Sequence, residues 1–599
     1  MPNLSEIKRK QMLDFLEAMK ENMDEEEIKA VNELENFIRE QRYGLVWERH
    51  EERADLQMAE KIPVFAEKKQ KKIIHDPSKK MNFLLEGDNL HSLFLLEKTH
   101  RGRIDLITID PPYNRRKDDF RYDDAFIDRE DGFLHSKWLS FMSKRLIRAK
   151  NLLSETGIIT VNIDEHEVAP LSMLMEEIFG AQNNLGTIIW NKQNPKGDAH
   201  KISTMHEYIL VFANNYERIK ELEGFGIRKK PNAKAILAKA KQLYGQIGKK
   251  ILPPEIRSLA KMYGYPKEVL EQMKVEYDLE IVNREFAEWM KRQDFSSGEK
   301  AYRRIDENGR VYRGVSMAWP NKKKVPEDYF IPLIHPVTGK QAPVPARGWR
   351  NPPRTMEKLM REGRILFGED ERKQPERKYF LDENMTENTP SIYSNADSAD
   401  EYMEKIGISF EYPKPVSEVK YLIQSLHPDP KVVLDFFAGS GTTGHAVMAV
   451  NEEEGKDIQY ILCTNNQNAI AEEIAYKRLK IEAENHGANL KYYKTEFVSK
   501  VPEEGIELSE VLLDHILEMI ELDFGMDMES SENFRSLLEE SEPDEFFEKE
   551  ELRERKSFLR GDLRLEGERE GAAAERNICM ARALEYYFAE ELEQAGKCT

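Results

Sequence analysis

The feature that most constrains this chain is a recurring unit: a short apolar run that ends on Asp, Asn or Pro and is followed by a helical stretch. NFLLEGD, IDLITIDPPY, GIITVNIDE, LGTIIWNK and HEYILVFANN occur in succession between residues 82 and 215. Runs this short and apolar suit strands buried on both faces, and their alternation with helices predicts an α/β fold built on a doubly wound parallel sheet. The rhythm stops near residue 217 and resumes near 412 with KVVLDFFAGSGTTGHAVMAV and IQYILCTNNQNAIAEEIAYKRL. The sheet domain is therefore expected to be split in sequence by a long insertion.

Five segments follow from this pattern. Residues 1–78 read as a helical N-terminal extension, 79–216 as the first half of the sheet domain, and 217–410 as an inserted α+β domain. Residues 411–499 read as the second half of the sheet domain and 500–599 as an acidic, helical C-terminal region. As a chain average, the net charge of -20 over 599 residues argues against a nucleic-acid partner, but the charge is unevenly spread. Residues 217–350 hold 28 Lys and Arg against 17 Asp and Glu, whereas 500–599 hold 12 against 29. A basic middle segment suits phosphate contacts, which are driven by counterion release and do not depend on sequence. No window has the roughly 18 apolar residues of a membrane span, and the charged N-terminus is unlike a signal peptide. Three widely spaced cysteines, Cys463, Cys579 and Cys598, provide neither a disulfide framework nor a thiolate zinc site. A reducing cytoplasm is the expected location, and no membrane partner is expected.

The sharpest local signal is the run 104–109 followed at once by Asp110, Pro111, Pro112 and Tyr113. In an open α/β sheet ligands bind beyond the carboxyl ends of the strands, which is where this turn belongs. Two prolines fix φ and remove N–H donors, leaving carbonyl oxygens and one carboxylate beside an aromatic ring. An acceptor-only site next to a π face suits an amino group on a flat heterocycle. The second signal is Asp435 to Thr442, DFFAGSGT, between a strand and a helix. Gly439 and Gly441 allow a ligand close to the backbone, and the helix behind them offers N–H groups. The loop lacks the Walker spacing; with Gly444 as third glycine it matches the dinucleotide fingerprint, so a nicotinamide or flavin site is a rival on this motif alone. The Asp110 turn weighs against that rival, because it has no part in hydride transfer.

Together, DPPY and DFFAGSGTT resemble the catalytic and S-adenosylmethionine motifs of amino-group DNA methyltransferases, in the permuted order of the beta class. Residues 82–93 (NFLLEGDNLHSL), 410–423 (FEYPKPVSEVKYLI) and HEYILVFANN extend the likeness. YGLVWE at 43–48 and the run 347–368 resemble the modification subunit of type III restriction-modification systems. The resemblance implies a Rossmann-like S-adenosylmethionine-dependent methyltransferase sheet, with 79–216 its catalytic half, 411–499 its cofactor half and 217–410 a target-recognition domain. It implies that Asp435, Phe437, Gly439 and Gly441 line the methionine and ribose of the cofactor, with Ala438, Ser440, Thr442 and Lys414 on the same side. Asp88 would meet the adenine of the cofactor. Where the family often has an acidic ribose ligand this chain has Thr464–Asn465–Asn466, which gives that place to Asn465.

The implied activity is adenine-N6 methylation of double-stranded DNA by a homodimer, partnered by a separate restriction subunit that supplies ATP hydrolysis and cleavage in a bacterial or archaeal cell. Asp110 to Tyr113 would hold a base that must be flipped out of the duplex, with Tyr113 stacking on it. Two alternatives stay open: cytosine-N4 methylation, and a catalytically idle recognition subunit for a nuclease. In the basic segment Lys322, Lys323, Lys324, Trp349 and Arg350 are the candidate DNA contacts, against the commoner alternatives of a core place for Trp349 and a solvated loop for 322–324. His91, His206 and His445 have no ligand-type partner at i+3 or i+4, so no metal site is expected. Pro543–Asp544 with Glu554 to Lys556 matches a nuclease spacing but falls in a charge run expected to be helical.

Overall fold

The computed structural model describes residues 4–20, 25–40, 47, 50–115, 134–193, 202–320, 326–395, 397–410, 413–502, 505–530, 534–537, 556–559 and 579–598. The chain divides into two compact units, 1–226 with 390–599, and 227–389. In the first unit ten strands form one sheet: β1 (Lys61–Glu67), β2 (Met81–Glu86), β3 (Ile104–Ile109), β4 (Leu153–Ile163), β5 (Asn184–Asn191), β6 (His206–Ala213), β7 (Ile392–Ser394), β8 (Val432–Asp435), β9 (Gln459–Thr464) and β10 (Asn489–Ser499). Their spatial order is β1-β10-β2-β9-β8-β3-β4-β6-β5-β7. From β10 to β4 every neighbouring pair is parallel, while β6 runs antiparallel to both β4 and β5. The α/β expectation is met.

Burial follows position in the sheet. Every residue of β2 and β9 is buried, as strands covered on both faces require. One face is covered by α1 (Asn89–His100), α2 (Leu134–Leu152) and α3 (Val168–Phe179), whose Leu93, Trp138, Phe141 and Leu174 pack on Ile107, Ile109 and Val161. The other is covered by α4 (Val416–Leu426), α5 (Thr442–Glu454) and α6 (Tyr476–His486), with Leu422, Val447 and Leu479 against Leu106, Val433 and Leu462. Helices on both faces make the sheet doubly wound.

The extensions differ from the helical expectation. The N-terminal segment does form helices at Leu4–Met19, Glu25–Glu40 and Arg53–Glu60, but it ends in β1, which pairs antiparallel with β10. The apolar run at 62–66 is too brief to stand out beside its charged flanks. The C-terminal region is not wholly helical either, because Phe534–Leu537, Lys556–Leu559 and Cys579–Arg582 form a three-stranded parallel sheet. Its first part completes the main core: Ile516, Met519 and Ile520 share the cluster of Phe65 and Phe83. Some of its acidity is used internally, since buried Lys491 meets Glu521 Oε2 at 2.5 Å, Asp527 Oδ1 at 2.7 Å and Glu67 Oε1 at 3.3 Å. The nuclease-like Pro543, Asp544 and Glu554 lie outside the described residues.

The second unit, 227–389, is narrower than the basic segment 217–410. Residues 217–226 and 390–410 belong to the first unit, where β7 extends the main sheet by pairing with β5. The second unit opens and closes on one ladder, Ile227–Lys229 against Thr386–Asn388. A four-stranded antiparallel sheet and the helix Leu279–Arg292 form its centre. Among the described residues no helix is long and apolar enough to cross a membrane.

Candidate active site

β3 and β8 lie side by side, Leu106 opposite Val433 and Ile107 opposite Leu434. From β3 the chain proceeds outward to β4, and from β8 it proceeds the opposite way to β9. Such a reversal leaves a crevice beyond the carboxyl ends of the two strands. The turn at 110–113 and the loop at 435–441 therefore flank one crevice although more than 300 residues separate them. Asp105 ties the opposite ends together, its Oδ2 accepting from Lys431 N at 2.8 Å and Val432 N at 3.3 Å.

A buried charge cluster holds the Asp110 turn. Lys414 Nζ donates to the Tyr113 hydroxyl at 2.7 Å and to Glu207 Oε2 at 2.8 Å, and lies 3.3 Å from Asp110 Oδ1. The Tyr113 hydroxyl donates to Glu207 Oε2 at 3.2 Å, and Lys192 donates to Oε1 of the same carboxylate. Burial would raise the Glu207 carboxyl, but the two ammonium groups overcome it and hold the group well below the usual carboxylate range. Asp110 moves the other way: burial raises it, only partly opposed by Lys414. Glu418, fully buried, is pushed up to about 7 by burial against the pull of Lys414, and accepts from Asn162 Nδ2 at 2.6 Å. Asp110 Oδ1 is a buried acceptor that receives no hydrogen bond. Trp138 Nε1 donates to the Pro112 carbonyl at 2.8 Å and stiffens the turn. Asn114 takes φ 61°, a conformation asparagine tolerates, and its amide donates to Glu167 Oε1 at 2.5 Å.

The glycine loop is stabilised by its own first residue. Asp435 Oδ1 accepts from Phe437 N at 2.9 Å and Oδ2 from Thr443 Oγ1 at 2.6 Å. Burial pushes this carboxyl up to about 7 despite those bonds. Gly439 and Gly441 have φ of 50° and 78°, left-handed values that let the loop turn into α5. Gly444 serves packing, because a Cβ there would lie 2.5 Å from Leu479 Cδ2. Asn89 Nδ2 donates to the Phe436 carbonyl at 2.7 Å, linking the loop to α1.

Several expected site residues fall differently from expectation. The Lys414 ammonium points at the Asp110 turn, where Glu207 and Asp110 take up its charge, while its backbone carbonyl accepts from Thr442 Oγ1 at 3.3 Å at the end of the glycine loop. The Ser440 and Thr442 hydroxyls accept from Arg478 Nη1 at 3.1 and 2.8 Å, so these side chains are engaged from α6. Asp88 caps α1 by accepting from Leu90 N at 2.8 Å and pairs with Arg145 at 3.2 Å. The Tyr113 ring is buried, with the Arg115 guanidinium 4.6 Å from its centre on one face. Asn465 follows β9 and accepts from Gln467 N at 3.2 Å.

Among the candidate DNA contacts, Trp349 is corrected to a core residue. It is 1% exposed, packs with Met317 and Met356, and donates from Nε1 to the Ile331 carbonyl at 2.8 Å. Arg350 beside it is exposed. Lys322, Lys323 and Lys324 lie outside the described residues, as does most of the YGLVWE segment. Sequence reasoning missed Glu207, Glu418, Asn162, Arg115 and Arg478. Glu207 did leave a trace, a lone carboxylate at the start of the apolar strand HEYILVFA.

The match to known proteins spans both sides of the crevice. Residues 104–477 match the N6/N4 model of the DNA methylase family. The EcoP15I Mod subunit of a type III restriction-modification enzyme from Escherichia coli is 29% identical over 409 residues, 63% of this chain and 58% of that protein. The StyLTI Mod subunit from Salmonella typhimurium is 29% identical over 429 residues, 66% and 55% respectively. The chain thus spans somewhat over half the length of these curated relatives. Among solved structures, PvuII DNA methyltransferase, described as cytosine-N4-specific, aligns over 69% of this chain and 98% of its own at 10% identity, with a TM-score of 0.30. With the family model covering both the Asp110 turn and the glycine loop, the chain belongs to the N6/N4 DNA methylase family.

Proposed function

We propose that this chain is a site-specific DNA adenine-N6 methyltransferase that uses S-adenosylmethionine and serves as the modification subunit of a type III-like restriction-modification system. The observation that carries the reading is Asp110 Oδ1, a buried acceptor that is ion-paired with Lys414 at 3.3 Å but has no well-aligned donor, at the rim of the crevice. An exocyclic amine donating to this oxygen and to the Pro111 carbonyl would satisfy the orphaned acceptor and draw the nitrogen lone pair out of the ring. The aspartate form of the turn and the similarity to type III Mod subunits favour adenine-N6 over cytosine-N4.

The residues present fit the cofactor. The left-handed Gly439 and Gly441 bring backbone close to a ligand, and a Cβ on Gly439 would meet only the Phe410 ring edge at 3.7 Å and its own loop's Phe437 carbonyl at 3.9 Å. Asp435, Phe437, Ala438 and the backbone of 439–441 would hold its amino-acid and ribose parts, with Asp88 and Asn465 at the adenosine end. When bound, S-adenosylmethionine supplies an electrophilic methyl group. Asp110 Oδ1 orients the target amine and accepts the proton it gives up, which suits a carboxyl raised by burial. Lys414 and Glu207 position Asp110 and the Tyr113 hydroxyl. Double-stranded DNA is the substrate, the basic second unit with Arg350 the recognition element, and a homodimer with a separate ATP-dependent restriction subunit the assembly the resemblance implies.

The test is transfer of labelled methyl from S-adenosylmethionine to genomic DNA by the purified protein, with single-molecule sequencing of the product. N6-methyladenine confined to one short motif is expected. Methylation at cytosine moves the chemistry to N4, and tight DNA binding without any incorporation removes the enzyme reading.

A further inference from the structure

Behind the glycine loop, on the α5–α6 face, three side chains converge that the methyl-transfer reading does not use. His445 stands in the first turn of α5, and Glu482 and His486 stand one turn apart on the last turns of α6. Glu482 Oε2 lies 3.5 Å from His445 Nε2 and 3.4 Å from His486 Nε2, and all three ligand atoms fall within 4.8 Å of one another. A zinc ion with bonds of about 2.0–2.1 Å in tetrahedral geometry separates its ligand atoms by about 3.3–3.4 Å. These two edges match that spacing, and the third lies within 4.8 Å.

A second observation points the same way. His486 Nδ1 lies 2.7 Å from Glu452 Oε2, one helix away on α5. That nitrogen is buried and makes no hydrogen bond as it stands, so the pair is one of charge alone; ligation through Nε2 would place a proton on Nδ1, where this carboxylate can orient the ring. The other Glu482 oxygen is held by the Tyr402 hydroxyl, which directs Oε2 toward the histidines. We propose that His445, Glu482 and His486 form a binding site for a borderline d-block dication, zinc foremost, which clamps α6 to the first turn of α5. Two imidazoles and one carboxylate with an open fourth position suit that class of ion better than Ca2+ or Mg2+, which take oxygen ligands. Arg478 Nη2 donates to His445 Nδ1 at 3.4 Å, which puts the ring proton on Nε2; ligation through Nε2 requires this bond to break and the proton to move to Nδ1, and so lowers the affinity. Sequence spacing pointed away from this site, because His445 gains its partners only when α5 and α6 pack.

The proposal is independent of methyl transfer and is tested by metal binding alone. Untagged full-length protein, stripped with chelator, is titrated with Co2+ and read by visible d–d absorption, then competed with Zn2+ and assayed for metal content. One Co2+ per chain with the intense bands of four-coordination, displaced by Zn2+, is expected. Glu482→Gln and His486→Ala should lose those bands, and Glu452→Gln should weaken binding about ten- to a hundredfold. Wild-type protein without stoichiometric metal, or the same spectrum in His445→Ala, Glu482→Gln and His486→Ala, overturns the site. Glu452 is largely exposed, so its substitution reports on the site without threatening the fold.

Discussion

The unit that carries the ten-stranded sheet holds 56 Lys and Arg against 87 Asp and Glu, whereas the inserted unit, 227–389, holds 34 against 23. They also differ in construction. The first has strands up to 11 residues long and two extensive cores, one on each sheet face. The second has strands of 2 to 6 residues and two small cores, around Phe286 and around Trp349. A long parallel sheet places loops reproducibly at its strand ends, so chemistry there is tied to fixed backbone positions. A small basic unit on short strands holds an exposed charged surface instead, and such a surface is defined by what it meets. On the proposed function, methyl-transfer chemistry falls to the first kind of unit and DNA recognition to the second.

The comparison is most directly broken by Asp110→Ala. It is expected to retain S-adenosylmethionine binding and to lose about a hundred- to a thousandfold in methyl-transfer rate, the scale of losing a preorganised polar contact at a reacting centre. Near-normal turnover would detach the chemistry from the β3–β8 crevice. Next comes excision of the second unit: because Ile227 pairs with Asn388, a short linker can bridge the cut. Sequence preference should fall by about a thousandfold or more, towards non-specific binding, while residual methylation persists. Site-selective methylation by the excised protein would place recognition elsewhere.

Smaller effects sharpen the contrast. Trp349→Ala should destabilise the second unit by about 3–5 kcal/mol, the cost of emptying a buried aromatic site. Two unfolding transitions by calorimetry, with only one shifted, would show the units to be separately stable; a single shared shift would show them coupled. Glu418→Gln has an effect whose size depends on pH. The folded carboxyl is pushed from 4.5 up to about 7, so the folded state binds its proton more firmly than the unfolded state does. The penalty is absent below about 4.5, grows between there and 7, and is full above 7. Glu418→Gln should therefore be nearly neutral in acid and raise stability above pH 7, by at most about 3 kcal/mol. Equal effects at both ends of that range would contradict the buried, neutral-leaning Glu418.

Different parts of the site were legible for different reasons. The Asp110 turn and the glycine loop announce themselves because rigid turns and left-handed loops demand proline and glycine, residue types whose backbone effect is local. Trp349 was misread because an aromatic in a basic stretch looks the same whether it stacks outward or fills a core. The strand Lys61–Glu67 and the packing of Ile516–Phe524 were missed because each is stabilised by a partner hundreds of residues away.

By itself the sequence determined the strand–helix alternation, the two chemical loops, their order and the charge contrast between segments, since each is set by side-chain chemistry within a few residues. Only the tertiary structure decided that β3 and β8 are neighbours, that Lys414 serves the Asp110 turn, that Arg115 lies over Tyr113 and that His445 meets Glu482 and His486. Those contacts depend on which helices and strands share a face, and in a doubly wound sheet that follows from the global order of strands.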